Sequence, residues 1–598
     1  MILVFGGTTE GRLAVKTLDE GAGSYYYSTR GKRQQVECAH GIPVSGAMSE
    51  CAMTTFCRQH GIRLIVDAAH PFASGLHATV GSVSKQLDLP VVRLERRYPE
   101  RDRMHVVWCR DYADAMEKMR RDKVARLLAL TGVQTIGALR PFWQHQETFF
   151  RILPRSESAE AAAAAGFPAS HLVFYEEGGT GRLLERIGPD AILTKESGVS
   201  GGFPEKVASA LRCGVRVYAV CRPALPDHFV TVDGRHGLRR EVERFVPEFY
   251  PLHTGFTTGS CATAAATAAL TALLSGEKPD EVRFRIPEGE TMRMAVASVS
   301  VCGNAGSARV IKDAGDDPDI SGGHGISVTV AFAPHPDIRF FAGPGVGTVT
   351  LPGLGLKVGE AAINPVPRRM MTEALRSLYA GGLDVTVSIE DGEALAARTF
   401  NPRVGIAGGL SVIGTTGIVQ PFSHDAFIES IRRMVRVALT LGCERIVFNS
   451  GAKSEGFMKA LFPDLPRHAF LHYGNAVGEA LTVAREAGVR SLTIGLMLGK
   501  AVKLAAGHLD THSRSVTLDK TFLKSVARQS GCTSCAQDAV DRLRLARELP
   551  ALLTAHDAAR LFPALLQMCH AHCHTVFPGP LHAVLLADDG TVLCQTES

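Results

Sequence analysis

Several short stretches carry groups that could do chemistry. The first is Gly6, Gly7, Thr8, Thr9, Glu10 and Gly11, set between the apolar run Ile2–Phe5 and a helix-like segment, Arg12–Leu18. A tight glycine turn between strand and helix lets backbone N–H groups and the helix N-terminus face a pyrophosphate. Thr8 stands where G-x-G-x-x-G has its middle glycine, so a bare tight turn is the competing reading. An NAD site would place an acidic residue about 20 positions further on, against the ribose. Here Ser28, Thr29, Arg30, Gly31, Lys32 and Arg33 follow Tyr27 instead. Hydroxyls with Arg30 and Arg33 suit a 2′-phosphate, which favours NADPH over NADH. A solvated basic turn is the alternative.

Asp67 and His70 come just after the apolar run Leu64–Val66, where open α/β sheets place ligands. His70 could donate a proton or bind a carboxylate. Capping of the next helix by Asp67 and His70 is an equal alternative. Lys195 follows Ala191–Thr194 and could pair with a carboxylate or lie on the surface. Asp313, Asp316 and Asp317 group three carboxylates in a glycine-containing loop. One could take a proton, the set could attract a hard cation, or the loop could be a solvated turn. Cys532 and Cys535, with Cys569, His570, His572, Cys573 and His574, are the most metal-like set. Their spacing matches no standard zinc finger, so reduced thiols and no resident metal are expected.

These residues need elements to position them. Up to about residue 245, apolar strand-like runs alternate with helix-like segments, which predicts parallel, doubly wound sheets in two Rossmann-like lobes meeting near Val124–Leu130. The charged stretch Arg239–His253 reads as a last helix and a linker, placing one domain at 1–245 and another at 252–598. The second opens on a Thr/Gly turn and an Ala-rich helix, with Thr258 or Ser260 as N-cap. An α+β part to about Asp391 follows, and from Phe427 a second open α/β region. The fold class is therefore α/β and α+β, multidomain.

The 598 residues are 45% hydrophobic and 21% charged, which excludes wholesale disorder, collagen and a coiled-coil rod. A net charge of +5 with no dense basic tract argues against nucleic acid and leaves room for a polyanionic small molecule. Fourteen scattered cysteines and no signal-like N-terminus predict a soluble cytoplasmic protein. The uncharged stretch Val404–Ser423 carries five glycines, which suits turns rather than a membrane helix.

The motifs MILVFGGTTEGR, IVDAAHPFA, VVRLER, LTGV and LTKESG occur in order over the first 245 or so residues. Together they resemble cobalt-precorrin-6A reductase. The resemblance implies two Rossmann-like lobes with nicotinamide and corrinoid in the cleft between them. Asp67, His70, Lys195, Ser197 and Gly198 would then be cleft residues. The run GVSGGFPEK departs from that pattern after Ser197 and puts a role for Lys206 in doubt.

Further on, GFTTGSCATAAATAA, IKDAGDDPDI, GPGVGTVTLPGLGLKVGEAAINPVPR, NPRVGIAGGLSVIGTTGIVQPFS and KAVKLAAGHLDTHS resemble cobalt-precorrin-5B C1-methyltransferase. The chemistry implied is methyl transfer from S-adenosylmethionine (SAM) to a ring carbon. Strand-end loops at Asn449, Ser450 and Gly451, and at Gly474 and Asn475, are the expected SAM contacts. Ordinary βα turns are the alternative for each. The resemblance gives the Asp313–Asp317 loop a site role without defining it. Asp510 and His512, with Thr511 and Ser513, could hold corrinoid carboxylates or supply a base. Thr257 and Thr258 at a helix start could bind an anionic side chain of the macrocycle. The two activities would be consecutive steps of corrin-ring synthesis on one chain, with a cobalt corrinoid as substrate, no nucleic acid or membrane partner, and homo-oligomerisation open. The alternatives are a corrinoid- or nucleotide-binding regulator without turnover, and an unrelated NAD(P)-dependent oxidoreductase with a structural second half.

Overall fold

The computed structural model describes residues 1–31, 36–512 and 517–596. Arg33 and Ser513 lie outside the described residues. The chain divides into two units: Met1–His253 with Glu290–Met292, and Thr254–Gly289 with Arg293–Ser598.

In the first unit, twelve strands form two six-stranded sheets, every pairing parallel. They are β1 (Ile2–Phe5), β2 (Tyr25–Thr29), β3 (Gly41–Ser45), β4 (Leu64–Asp67), β5 (Val91–Leu94), β6 (Val106–Cys109), β7 (Arg126–Ala129), β8 (Glu147–Ile152), β9 (Leu172–Phe174), β10 (Ala191–Lys195), β11 (Arg216–Val220) and β12 (Val230–Val232). The first sheet runs β12-β5-β4-β1-β2-β3 and the second β6-β11-β10-β7-β8-β9. The apolar runs follow from burial on both faces. Ile2 and Val4 enter one core while Leu3 and Phe5 enter the core on the opposite face. Leu127 and Ala129 likewise part from Leu128 and Leu130.

The lobes do not meet at Val124–Leu130. That segment contains β7, the second strand of the second sheet in chain order and an interior one. The second lobe starts at β6, and β12 returns to the first sheet beside β5, so the second lobe is an insertion in the first. The crossing segments are joined by Glu196, just past β10. It takes a bidentate pair of hydrogen bonds from Arg101 at 2.8 and 2.9 Å and one from the Arg222 side chain at 3.3 Å. The Arg222 guanidinium also lies 3.7 Å from the centre of the Tyr98 ring. The helix Ser156–Ala164, rich in alanine, has only Ser158 and Ala162 buried.

In the second unit the helix Thr258–Ser275 packs on a five-stranded sheet ordered Ser298–Cys302, Ala305–Ile311, Gly325–Phe332, Leu383–Ile389, Ile338–Ala342. It is long and apolar enough to cross a membrane, but fourteen of its residues are buried in the protein. Small residues allow the close approach: a Cβ at Gly306 would lie 2.3 Å from the Ala269 carbonyl oxygen. Residues 404–423 form turns and two-residue strands.

A second sheet in this unit is ordered Phe470–His472, Arg445–Asn449, Ser491–Met497, Leu581–Leu586, Val592–Gln595. The last pairing is antiparallel and the others parallel. In chain order this is 2-1-3-4-5, the flavodoxin-like arrangement, with its switch point between Arg445–Asn449 and Ser491–Met497.

Candidate functional site

In the first lobe, the loop after β1 is built by packing. A Cβ on Gly6 would lie 2.2 Å from the Tyr27 hydroxyl, and one on Gly11 would lie 2.7 Å from it. Gly7 has φ +92° and donates its N–H to that hydroxyl at 3.0 Å. Thr8 caps the helix Thr9–Leu18 by accepting from the Gly11 N–H at 3.1 Å, and donates to the Ala68 carbonyl at 2.7 Å. The threonine in place of the middle glycine thus ties the loop after β1 to the loop after β4. Thr9 and Glu10 open the helix, where backbone N–H groups have no carbonyl four residues back. That first turn fits a phosphate. Arg30 is exposed just past β2.

Two expected contacts need correction. The Glu10 carboxylate is not open to a cofactor: it accepts from Arg96 Nε at 3.0 Å and from Ser200 Oγ, across the lobes, at 2.6 Å. Burial alone would raise its pKa, but the Ser200 hydrogen bond and the Arg96 charge bring it below the ordinary value. Asp67 is not a cleft residue. It is fully buried, 2.7 Å from His77 Nδ1 and 2.9 Å from Arg93, whose guanidinium also reaches Glu95 at 3.3 Å. Nor does it or His70 cap the next helix, Ser74–Leu87, which has no side-chain cap.

His70 does sit where the lobes face each other. Its Nδ1 accepts the Phe72 N–H at 3.1 Å, which assigns the proton of the neutral ring to Nε2. Burial, then the charges of Arg96 and Lys195, lower its pKa to about 4. At neutral pH it is an uncharged donor. Lys195 Nζ lies 5.4 Å from the centre of the Phe72 ring, lobe to lobe, and burial lowers its pKa to about 8. Lys206, also lowered to about 8, chiefly by burial, donates to the Gly201 carbonyl at 2.8 Å. Neither lysine has a carboxylate partner among the described residues. Ser197 donates to the Gly201 carbonyl at 3.1 Å, and its own carbonyl accepts from Arg96 at 2.9 Å. Gly198, at φ +70°, leaves no room beside Arg96 for a Cβ. Thr194, at the end of β10, has a buried hydroxyl without a partner. This is a cationic cleft with neutral donors, suited to carboxylates.

In the second unit, Thr257 and Thr258 are not free for an anion. Thr257 caps the helix by accepting the Ser260 N–H at 3.2 Å, and the Thr258 hydroxyl exchanges hydrogen bonds with Ile413 at 2.9 and 3.1 Å. They anchor the glycine-rich segment, which reaches them because a Cβ on Gly414 would lie 2.2 Å from Thr257 Oγ1. Asp313 and Asp316 are exposed, and Asp313 accepts the Gly315 N–H at 2.9 Å. Asp317 accepts the Phe422 N–H at 3.1 Å. The deeply held ion pair of this loop is one the sequence reading passed over: Asp319 with the fully buried Lys312 ammonium, 2.6 Å apart. Among the described residues, neither these aspartates nor the C-terminal Cys/His set bring three ligand atoms to one point. Cys569 and Cys573 are core residues and Cys535 is exposed.

At the flavodoxin-like switch point, Asn449 is buried. Its Nδ2 donates to the Val447 carbonyl at 3.0 Å, but its Oδ1 has no donor. An unpaired acceptor at a strand end fits a ligand that brings an N–H or O–H. Ser450 meets Ser454, whose hydroxyl accepts the Gly451 N–H at 3.1 Å, so this turn is held by side chains. Gly474, at φ +59°, packs against the Phe427 ring, where a Cβ would come within 2.8 Å. Asn475 accepts from Lys500 Nζ at 2.9 Å, and its carbonyl accepts the Thr511 N–H at 3.0 Å. Asp510 pairs in a β-bridge with Ala476 and accepts the His512 N–H at 2.9 Å. The 474–475 and 510–512 segments thus share one corner.

Two groups here escaped the sequence reading. Lys500 opens the helix after the third strand in chain order; burial, then Lys503, lower its pKa to about 8. Glu455, in the first turn after Gly451, is buried against Arg403 at 2.7 Å and also binds Lys459 and His472. Lys500 lay inside the motif KAVKLAAG; nothing in the sequence marked Glu455.

Two parallel sheets and one mixed sheet, with polar loops gathered at their strand ends, make this a two-unit α/β enzyme. A model described as precorrin-6x reductase CbiJ/CobK matches residues 1–238, one described as CbiD matches 247–421, and one described as CbiD, C-terminal domain, matches 510–597. The chain is 44% identical over 340 residues to a cobalt-precorrin-5B C(1)-methyltransferase of Prosthecochloris aestuarii, covering 54% of this chain and 90% of that protein. The same-named protein of Burkholderia lata is 47% identical over 288 residues, covering 47% and 79%. Among solved structures, a CobK precorrin-6A reductase is 21% identical with TM-score 0.35, covering 42% of this chain and 98% of that one. The cobalamin biosynthesis protein cbiD of Archaeoglobus fulgidus is 28% identical with TM-score 0.25, covering 45% and 84%. The chain belongs to the cobalt-precorrin-5B C(1)-methyltransferase family, with a part of the precorrin-6x reductase family fused ahead of it.

Proposed function

We propose that the second unit methylates C1 of cobalt-precorrin-5B with SAM, and that the first reduces the product, cobalt-precorrin-6A, to cobalt-precorrin-6B with NADPH. The observation that carries this is the order of the family matches, a reductase part followed by a methyltransferase family covering 90% of its relative.

When bound, NADPH supplies hydride and SAM supplies an electrophilic methyl group. In the first unit, the helix turn at Thr9 and Glu10 binds phosphate. Lys195 and Lys206 hold substrate carboxylates, and His70 donates a hydrogen bond from Nε2. In the second unit, the loops at Ser450 and Asn475 hold the nucleoside end of the donor. Asp510 and His512 line the same corner. Among the described residues, the one helix long and apolar enough to cross a membrane is mostly buried in the protein. One chain carrying both steps raises the local concentration of the intermediate at the second site.

The test is mass spectrometry of the corrinoid after incubation with cobalt-precorrin-5B, SAM and NADPH. Gain of one methyl group and then two hydrogens is expected. A methyl gain alone, unchanged when NADH replaces NADPH, would remove the reductase role. Binding of SAM and corrinoid with no product would favour a regulator.

A further inference from the structure

Lys500 carries more than a place in a loop. The residue is half-buried, at the first turn of the helix Leu498–Ala505. It donates to two neutral oxygens, the Gly474 carbonyl and Asn475 Oδ1, and lies 5.4 Å from the centre of the Tyr473 ring. It has three N–H groups and, among the described residues, no carboxylate within ion-pair distance. Elsewhere in this unit Lys312 has Asp319 and Arg403 has Glu455 as counter-charge. Withdrawing an ammonium from water without a counter-charge is costly, and a fold keeps such a group where a ligand completes it.

We propose that Lys500 binds a carboxylate of the ligand, and that this is the α-carboxylate of SAM's amino-acid end. The place favours SAM over the macrocycle. Lys500 follows the strand Ser491–Met497 and clasps the loop after Phe470–His472, at the end of the sheet where a nucleoside-bearing ligand lies. The inference rests on the assignment of SAM to this unit.

The charged form must be present for the pair to form. Lys503, one turn along the helix, disfavours it; Asp510, on the facing segment, favours it; Tyr473 and Asn475 face it without charge at neutral pH. Its pKa is lowered to about 8, so carboxylate binding is complete below that pH and weakens as pH rises through it.

The experiment titrates the full-length protein and its Lys500→Met variant with S-adenosylhomocysteine and with 5′-methylthioadenosine, the same nucleoside without the amino-acid end. Expected is a loss of roughly tenfold or more for S-adenosylhomocysteine with 5′-methylthioadenosine unchanged. The wild-type decline in affinity above about pH 8 should be flatter in the variant. Lys500→Arg should recover part of the affinity, which a merely structural role would not allow. Equal loss of both ligands, or loss of neither with an unchanged KM for the corrinoid, overturns the proposal. An unchanged S-adenosylhomocysteine affinity with a raised corrinoid KM keeps the carboxylate and makes the macrocycle its source. Wild-type protein that binds neither nucleoside but still methylates overturns this placement alone; if it also fails to methylate, the SAM reading falls with it.

Discussion

Asp67→Asn separates two accounts of the most conspicuous aspartate in the first unit. Asp67 and Arg93 are both fully buried and 2.9 Å apart, with His77 on the other carboxylate oxygen. Removing one partner of a buried pair costs about 3–5 kcal/mol. Glu95 remains beside Arg93 at 3.3 Å, and asparagine can still accept the Ala69 N–H, so the lower end, about 3 kcal/mol, is expected. For a unit of this size that is roughly 6–12 °C in Tm. Burial would raise the folded pKa of Asp67, but the His77 hydrogen bond and the Arg93 charge outweigh it and leave it lowered. A lowered carboxylate stabilises the fold above its ordinary value and loses that contribution as pH falls through the folded value. The acid limb of stability should therefore be flatter in the variant. The assay is thermal unfolding by circular dichroism across acid to neutral pH, with reductase turnover measured well below the transition. An unchanged Tm with turnover down by orders of magnitude would refute this reasoning and make Asp67 a cleft catalyst.

Lys195 and Lys206, both lowered to about 8, are charged below that pH, so the corrinoid KM of the reduction should rise as pH passes about 8. A KM that stays flat from roughly pH 7 to 9 would count against carboxylate binding there. Gly6→Ala must displace Tyr27, 2.2 Å from the new Cβ, at a cost of about 1–3 kcal/mol, with weakened NADPH affinity measured by fluorescence titration. Glu455→Gln strips Arg403, Lys459 and His472 of their shared carboxylate; methylation should fall while reduction of supplied cobalt-precorrin-6A stays at the wild-type rate.

The parallel sheets were legible because strands buried on both faces read as unbroken apolar runs, as Ile2–Phe5 and Leu64–Val66 do. The loop after β1 was legible as a strand-glycine-helix turn, though Tyr27, which makes its glycines necessary, stands 21 positions from Gly6. Asp67 was misplaced because its partners, His77 and Arg93, lie 10 and 26 residues away and carry no local mark. Thr257 and Thr258 resembled a helix-start anion site because the segment that uses their hydroxyls arrives about 155 residues later. The insertion of one lobe in the other was hidden for the same reason: β12 finds β5 only after the whole second sheet has been made.

That insertion has a mechanical outcome. A lobe joined by one segment has little to hold its orientation, whereas here two crossing segments are tied together through Glu196, Arg101, Arg222 and Tyr98. Phe72 on one lobe meets Lys195 on the other, its ring centre 5.4 Å from Nζ. The alignment of the two lobes is thus tied to the double crossing of the backbone and to the side chains that join it.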